Sequence, residues 1–205
     1  MILLPMICAA YLLGAIPTGL LVGRLAKGVD VRQHGSGNVG ATNVVRVVGK
    51  AAGFLVLLVD AAKGWLPVAL LAPLATTWGV SVAPEKVKIL LGLASVAGHV
   101  WNPFLQFQGG RGVATGLGVL AGLDLRVALG SLGVWVLVAL TTRYVSVASI
   151  SAAFSVPFLM IWIGSPTLWI LGGVGVSLII ISRHRPNILR LLHGEEHRFG
   201  KNPNS

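Results

Sequence analysis

Residues 2–23 read ILLPMICAAYLLGAIPTGLLVG, an apolar run with no charged side chain. A helix that crosses a bilayer needs about 20 such residues. Gly14 and Pro17 would kink that helix, which a membrane bundle tolerates. No basic n-region precedes the run, so it is expected to be a retained first helix rather than a cleaved leader. Working outward, apolar stretches recur at 52–74, 87–104, 113–123, 127–142, 145–163 and 167–182. Charged residues make up only 11% of the chain and mean hydropathy is +0.83, against about 25% charged in soluble domains. The expectation is an all-α polytopic membrane protein, a single domain over 1–205, with about seven transmembrane helices. The short, glycine-rich stretches 113–123 and 127–142 could instead form a re-entrant pair, leaving five full crossings. Either parity puts the termini on opposite sides.

The basic residues set the expected orientation. The net charge is +10, from 16 Lys+Arg against 6 Asp+Glu. In a soluble protein this would suggest nucleic acid, but no basic and aromatic surface is visible. Counted by the positive-inside rule, Arg24, Lys27, Arg32, Arg46, Lys50, Arg111, Arg143, Arg183, Arg185, Arg190, Arg198 and Lys201 fall on one side. Lys86, Lys88 and Arg126 fall on the other, and Lys63 lies within a span. The N-terminus is therefore expected outside and the C-terminus in the cytoplasm. Three polar segments, 24–50, 105–112 and 183–205, then share the cytoplasmic face.

The first holds GSGNVGATNVVR at 35–46. Glycines at that density let backbone N–H groups converge on one point, which suits an anion, and Arg46 offers a planar charged fork for phosphate oxygens. A tight polar connection between helices is the bland alternative. Gly35, Gly37 and Gly40 also match G-x-G-x-x-G, but no β-α-β unit surrounds them, so a dinucleotide site is excluded. In the second segment Gly109, Gly110 and Gly112 bracket Arg111, again close backbone approach plus one cation, without a Walker A pattern. Trp101, Phe104 and Phe107 fit an interfacial belt, and His99 a structural hydrogen bond. In the third, SRHRPNILRLLHGEE at 182–196, His184 and Asn187 are spaced to share a helical face. His184 could donate to a phosphate or accept a hydroxyl proton. Glu195 could orient a histidine, pair with an arginine, or do neither. Lipid head-group binding by a basic tail is the alternative. Asp60 and Lys63 lie within a span, three apart, as an ion pair or a site wall.

Cys8 is the single cysteine, which excludes an intramolecular disulfide and a cysteine metal site. No zinc spacing, H-E-x-x-H or G-x-S-x-G occurs, so neither metal nor cofactor is expected. No histidine has an aspartate four or five residues on, so the His-Asp arrangement of many soluble acyltransferase domains is missing.

Together, SGNVGATNVVR at 36–46, DAAKG at 60–64, GHVWNPFLQFQGGRGVAT at 98–115 and HRPNILRLLHGEE at 184–196 resemble one family, the bacterial membrane acyl-phosphate:glycerol-3-phosphate acyltransferases (PlsY). The resemblance covers essentially the whole chain. It implies acyl transfer from acyl phosphate to the 1-hydroxyl of sn-glycerol-3-phosphate, giving lysophosphatidic acid and phosphate in phospholipid synthesis. It implies a monomer in the cytoplasmic (inner) membrane, meeting membrane lipids and no nucleic acid. By the resemblance, Ser36, Arg46, His184 and Asn187 serve catalysis. Gly37, Asn38, Gly40, Thr42, Asn43, Gly109, Gly110, Arg111, Gly112 and Glu195 bind or support substrate. The family usually has lysine where this chain has Arg111, which keeps the charge and changes the hydrogen-bond geometry. A transporter for an organic phosphate would require a repeat between the two halves, and none is visible.

Overall fold

The computed structural model describes residues 2–198, and all regular structure among them is helical. The helices are α1 Leu3–Gly14, α2 Thr18–Lys27, α3 Ala41–Val47, α4 Lys50–Leu66, α5 Ala72–Thr77, α6 Pro84–Val100, α7 Val113–Leu123, α8 Leu125–Thr142, α9 Val145–Ile163, α10 Thr167–Arg183 and α11 Arg185–Leu192. A π-helical stretch, Pro67–Leu71, joins α4 to α5. Lys201, counted in the orientation above, lies outside the described residues.

Four segments are long and apolar enough to cross a membrane: Leu3–Lys27, Lys50–Ala75, Leu125–Thr142 and Val145–Ile163. A fifth is the pair α10 and α11, bent by 52°. The stretch expected as a span over 87–104 is instead α6, which starts at Pro84 and stops at Val100. Pro84 suits the first helical turn, where its missing N–H costs nothing. Past Val100, Asn102 caps a short turn, its side chain accepting from the Phe104 N–H at 2.9 Å. The 113–123 stretch is a helix of only 11 residues. The turn expected around Asp124 and Arg126 is Asp124 alone, in extended backbone, with α8 starting at Leu125.

The chain packs as two compact units, divided after Asp124. In the first, α1 packs on α6 and α4 on α7. The α4–α7 contact depends on glycine: a Cβ on Gly64 would collide with the Thr115 carbonyl, and one on Gly118 with that of Ala61. Small residues let membrane helices approach this closely. Met6, Ala10, Ala72, Ala75, Val87 and Leu91 fill one buried cluster; Leu20, Val31, Val39, Val44, Val56 and Leu105 fill another, under the first polar loop. In the second unit α9 packs on both α8 and α10, and the Ser177 hydroxyl donates to the Ala153 carbonyl at 2.6 Å. Leu137, Phe154, Ile161 and Leu171 stand exposed on its helices, as side chains that meet lipid rather than water do.

Candidate functional site

The break between α1 and α2 organises the first unit. Pro17 leaves helical geometry, at φ −83° and ψ 64°, and frees the carbonyls before it. Lys63 takes one: its Nζ donates to the Ile16 carbonyl at 2.8 Å and to Thr18 Oγ1 at 3.3 Å, and lies 2.7 Å from Asp60 Oδ1. Asn102 takes the next, donating to the Ala15 carbonyl at 2.5 Å. Asp60 and Lys63 are 3% and 2% exposed. Lys63 thus hydrogen-bonds two protein oxygens and pairs by charge with Asp60, whose buried Oδ1 accepts no hydrogen bond. Of the two readings of this pair, the geometry favours an ion pair that also ties down the helix break. His99 Nδ1 stands 4.0 Å from Asp60 Oδ1. Its ring lies so close beneath Gly110 that a Cβ there would strike Nε2.

That contact seats the second glycine loop. Gly109 N–H donates to the Val100 carbonyl at 3.0 Å and Gly110 N–H to that of His99 at 3.1 Å. Both glycines are buried, as is Gly112, and Arg111 is half-buried beside them. Gly112 has a φ of 84° as it leads into α7, a conformation glycine adopts without strain.

The first loop is built around Asn43, which is 1% exposed. Its Oδ1 accepts from the Ser36 N–H at 2.8 Å, and its Nδ2 donates to the carbonyls of Val31 (2.8 Å), His34 (3.1 Å) and Asn38 (2.8 Å). Asn38 Oδ1 accepts from Gly40 N–H at 2.7 Å. Ser36, Asn38, Gly40 and Thr42 are half-buried; Gly37 and Arg46 are exposed. Lys27 donates to the Val47 carbonyl at 3.0 Å, closing the end of α3. Before the loop, Asp30 accepts from Arg32 Nη2 at 2.6 Å, with Arg24 at 3.6 Å. The Arg32 hydrogen bonds hold the Asp30 carboxyl down at about 2.

The second unit carries the third motif at the bend between α10 and α11. His184, 1% exposed, is the hinge residue. Its Nδ1 lies 2.8 Å from the Ile180 carbonyl. A carbonyl only accepts, so Nδ1 carries the proton there and Nε2 holds the lone pair of the neutral ring. One turn on, Asn187 Nδ2 donates to Glu196 Oε1 at 2.7 Å, and Arg190 Nε to Glu196 Oε2 at 2.8 Å. Burial raises the Glu196 carboxyl, but the hydrogen bonds from Asn187 and Arg190 and the charge of Arg190, with the Ser146 hydroxyl nearby, outweigh it and hold the group below the usual carboxylate range.

The expectation for Glu195 is corrected here. Its side chain is exposed, and the neighbouring Glu196 supports Asn187. Gly194, at φ 73°, reverses the chain after α11, and the irregular 195–198 segment turns the second glutamate inward. Sequence reasoning also missed Ser146, a buried serine in the first turn of α9, and Asn102. The only signal for Glu196 was its place in the Glu-Glu pair; Asn102 lay within the quoted second motif. Arg198 packs over the Tyr144 ring, 5.0 Å from its centroid, and donates to its hydroxyl at 2.8 Å. Among the described residues no cluster of three or more His, Cys, Asp or Glu could hold a metal ion.

Comparison with known proteins supplies the frame for these motifs. The family model described as glycerol-3-phosphate acyltransferase matches residues 4–194. A glycerol-3-phosphate acyltransferase of Synechococcus sp. (strain JA-3-3Ab) is 48% identical over 191 residues, 93% of this chain and 90% of that protein. That of Desulforudis audaxviator is 44% identical, over 93% and 92% of the two chains. The crystal structure of PlsY (YgiH), an integral membrane glycerol 3-phosphate acyltransferase in its glycerol 3-phosphate form, superposes with a TM-score of 0.88 at 44% identity, covering 98% of this chain and 96% of that one. Its lysophosphatidic acid form gives 0.86 at 43% identity. Three motifs in order, on an all-helical apolar scaffold that matches along its whole length, place this chain in the PlsY family of integral-membrane glycerol-3-phosphate acyltransferases.

Proposed function

We propose that the protein transfers a fatty acyl group from acyl phosphate to the 1-hydroxyl of sn-glycerol-3-phosphate, releasing lysophosphatidic acid and inorganic phosphate for phospholipid synthesis. The observation that carries this reading is the conjunction of family membership with two glycine loops, each beside an arginine, and a buried His184–Asn187 turn. The solved relatives are described with glycerol 3-phosphate and with lysophosphatidic acid, a substrate and a product of such a transfer. The donor is the one the family resemblance implies, and the chemistry agrees with it: an acyl phosphate is a mixed anhydride whose phosphate leaves readily, so no covalent enzyme intermediate is needed. The enzyme contributes positioning and charge stabilisation.

In this mechanism the glycerol hydroxyl oxygen bonds to the acyl carbonyl carbon, and the bond from that carbon to the phosphate oxygen breaks. Phosphate departs with the electron pair. The hydroxyl proton passes to His184 Nε2 or to the substrate's own phosphate. Ser36, Arg46 and the 36–43 loop bind or position substrate, as do Gly109 to Gly112; Asn187, held by Glu196, completes the third motif. The distribution of basic residues supports an outside N-terminus and a site on the cytoplasmic face of the membrane.

The test is an assay of the purified protein with palmitoyl phosphate and glycerol-3-phosphate, reading phosphate and lysophosphatidate, with acyl-CoA in parallel. Product from acyl phosphate alone, lost in Arg46→Ala, is the expected result; product from acyl-CoA alone overturns the donor. A His184→Gln enzyme that keeps most of its kcat assigns the proton to the substrate phosphate.

A further inference from the structure

We propose that Asn43 is a positioning residue of the reaction rather than a substrate ligand, and that it acts by holding nearby backbone carbonyls, with its two amide N–H groups, away from the anion that the 36–46 loop receives. The inference rests on the phosphate-handling reading of that loop. A side-chain amide has two N–H donors and one acceptor oxygen. In Asn43 both ends point into the loop's backbone: Nδ2 towards Val31, His34 and Asn38, and Oδ1 towards the Ser36 N–H. The residue is buried, and its amide is saturated before any substrate arrives.

The electrostatic consequence follows from the sign of these partners. A glycine-rich loop can turn either N–H groups or carbonyl oxygens towards a ligand, and only the former attract an anion. Asn43 holds the carbonyls of Asn38, in the loop, and of Val31 and His34, just before it, on its own side and, through Oδ1, fixes the backbone of Ser36. Gly35 shows how tight the arrangement is. It sits at φ 61°, and a Cβ there would strike Asn43 Oδ1. Glycine is required at that point both for its backbone conformation and to let the amide reach Ser36. Asn43 therefore sets the geometry at the cost of no substrate contact of its own, which is preorganisation.

Asn43→Ala and Gly35→Ala disturb the same contact from opposite sides, so the inference survives a variant that fails to fold. Both are assayed in detergent with palmitoyl phosphate and glycerol-3-phosphate, beside Arg46→Ala, and amide hydrogen exchange over residues 31–40 is followed in the substrate-free protein. The expected result for folded variant enzyme is a 10- to 1,000-fold lower kcat/KM, carried mainly by a raised KM for the anionic substrates, with faster exchange at Ser36 before substrate is added. A purely structural role lowers the amount and thermal stability of folded enzyme and leaves the KM of what remains unchanged, which overturns the proposal. A direct ligand role gives the kinetic loss with wild-type exchange in the free enzyme, which also overturns it. Faster exchange with wild-type kinetics does the same. If Arg46→Ala keeps its kcat/KM, the reading of the loop itself fails, whatever Asn43 does.

Discussion

The two units each bury a carboxylate beside a cation, and they use it differently. In the first, Asp60 is held within a helix by Lys63 one turn on, and the remaining Lys63 donors go to Ile16 and Thr18 at the break between α1 and α2. In the second, Glu196 reaches out of an irregular segment and divides its oxygens between Arg190 and Asn187. The first pair ends at the break between α1 and α2, on the Ile16 carbonyl and the Thr18 hydroxyl, so it fixes the fold there. The second ends on a side chain of the third motif, so it fixes an amide that the proposed reaction relies on. What a buried charge does is thus decided by where its spare hydrogen-bonding valences lead, since each left unmet costs about 1–3 kcal/mol or more.

The strongest way to break this comparison is Lys63→Met. It leaves Asp60 buried without its cation and should remove about 3–5 kcal/mol of stability, read by thermal unfolding in detergent. Asp60→Asn with Lys63→Met should recover much of that loss. A double variant that is folded, stable and inactive would instead make the pair part of the site.

Next in size is Glu196→Gln. The amide cannot accept at both oxygens, so Asn187 or Arg190 loses its partner. We expect kcat to fall about 10- to 100-fold, by roughly 1.4 kcal/mol of barrier per tenfold, with a smaller change in melting temperature. Glu195→Gln, at an exposed position, should stay within about twofold of the parent enzyme. Equal effects at the two glutamates would remove the distinction drawn here.

The same contrast has a pH dependence. The folded carboxyl of Glu196 titrates below its ordinary value of 4.5, so the unfolded chain binds its proton first as pH falls. The stabilisation from Glu196 is therefore complete above about pH 4.5 and is lost as pH drops through the folded value. Parent and Glu196→Gln unfolding curves should converge there on acidification. A gap that widens instead would reverse the sign.

The smallest effect is expected at Asp30, whose carboxyl titrates at about 2 but pairs with exposed Arg24 and Arg32. Arg32→Ala should cost about 0–1 kcal/mol, and less in high salt. A larger loss would show that the turn before the first motif is under more load than its exposure implies.

Much of this protein was legible in its residues. Apolar runs marked the helices because a bilayer offers no partner for unpaired backbone. Pro17 marked the break between α1 and α2. The glycine loops stood out because polar, flexible stretches are conspicuous in so apolar a chain. Helix ends were less legible: α6 stops at Val100 because Asn102 starts a new turn and reaches back to Ala15, a partner 87 residues away.

By itself, then, the sequence determined the membrane class, the helical architecture and the three motifs. These depend on composition, local spacing and turn residues, which act over a few positions. The tertiary structure decided which of two adjacent glutamates supports Asn187, where the donors of Lys63 go, and that Asn43 faces its own loop. In 195–198 no helical or strand period says which side chain turns inward, and among the partners of Lys63 and Asn43 are backbone carbonyls far from them in sequence. Every residue carries a carbonyl, so sequence cannot mark which one a buried donor will find; folding selects it by bringing that oxygen within reach.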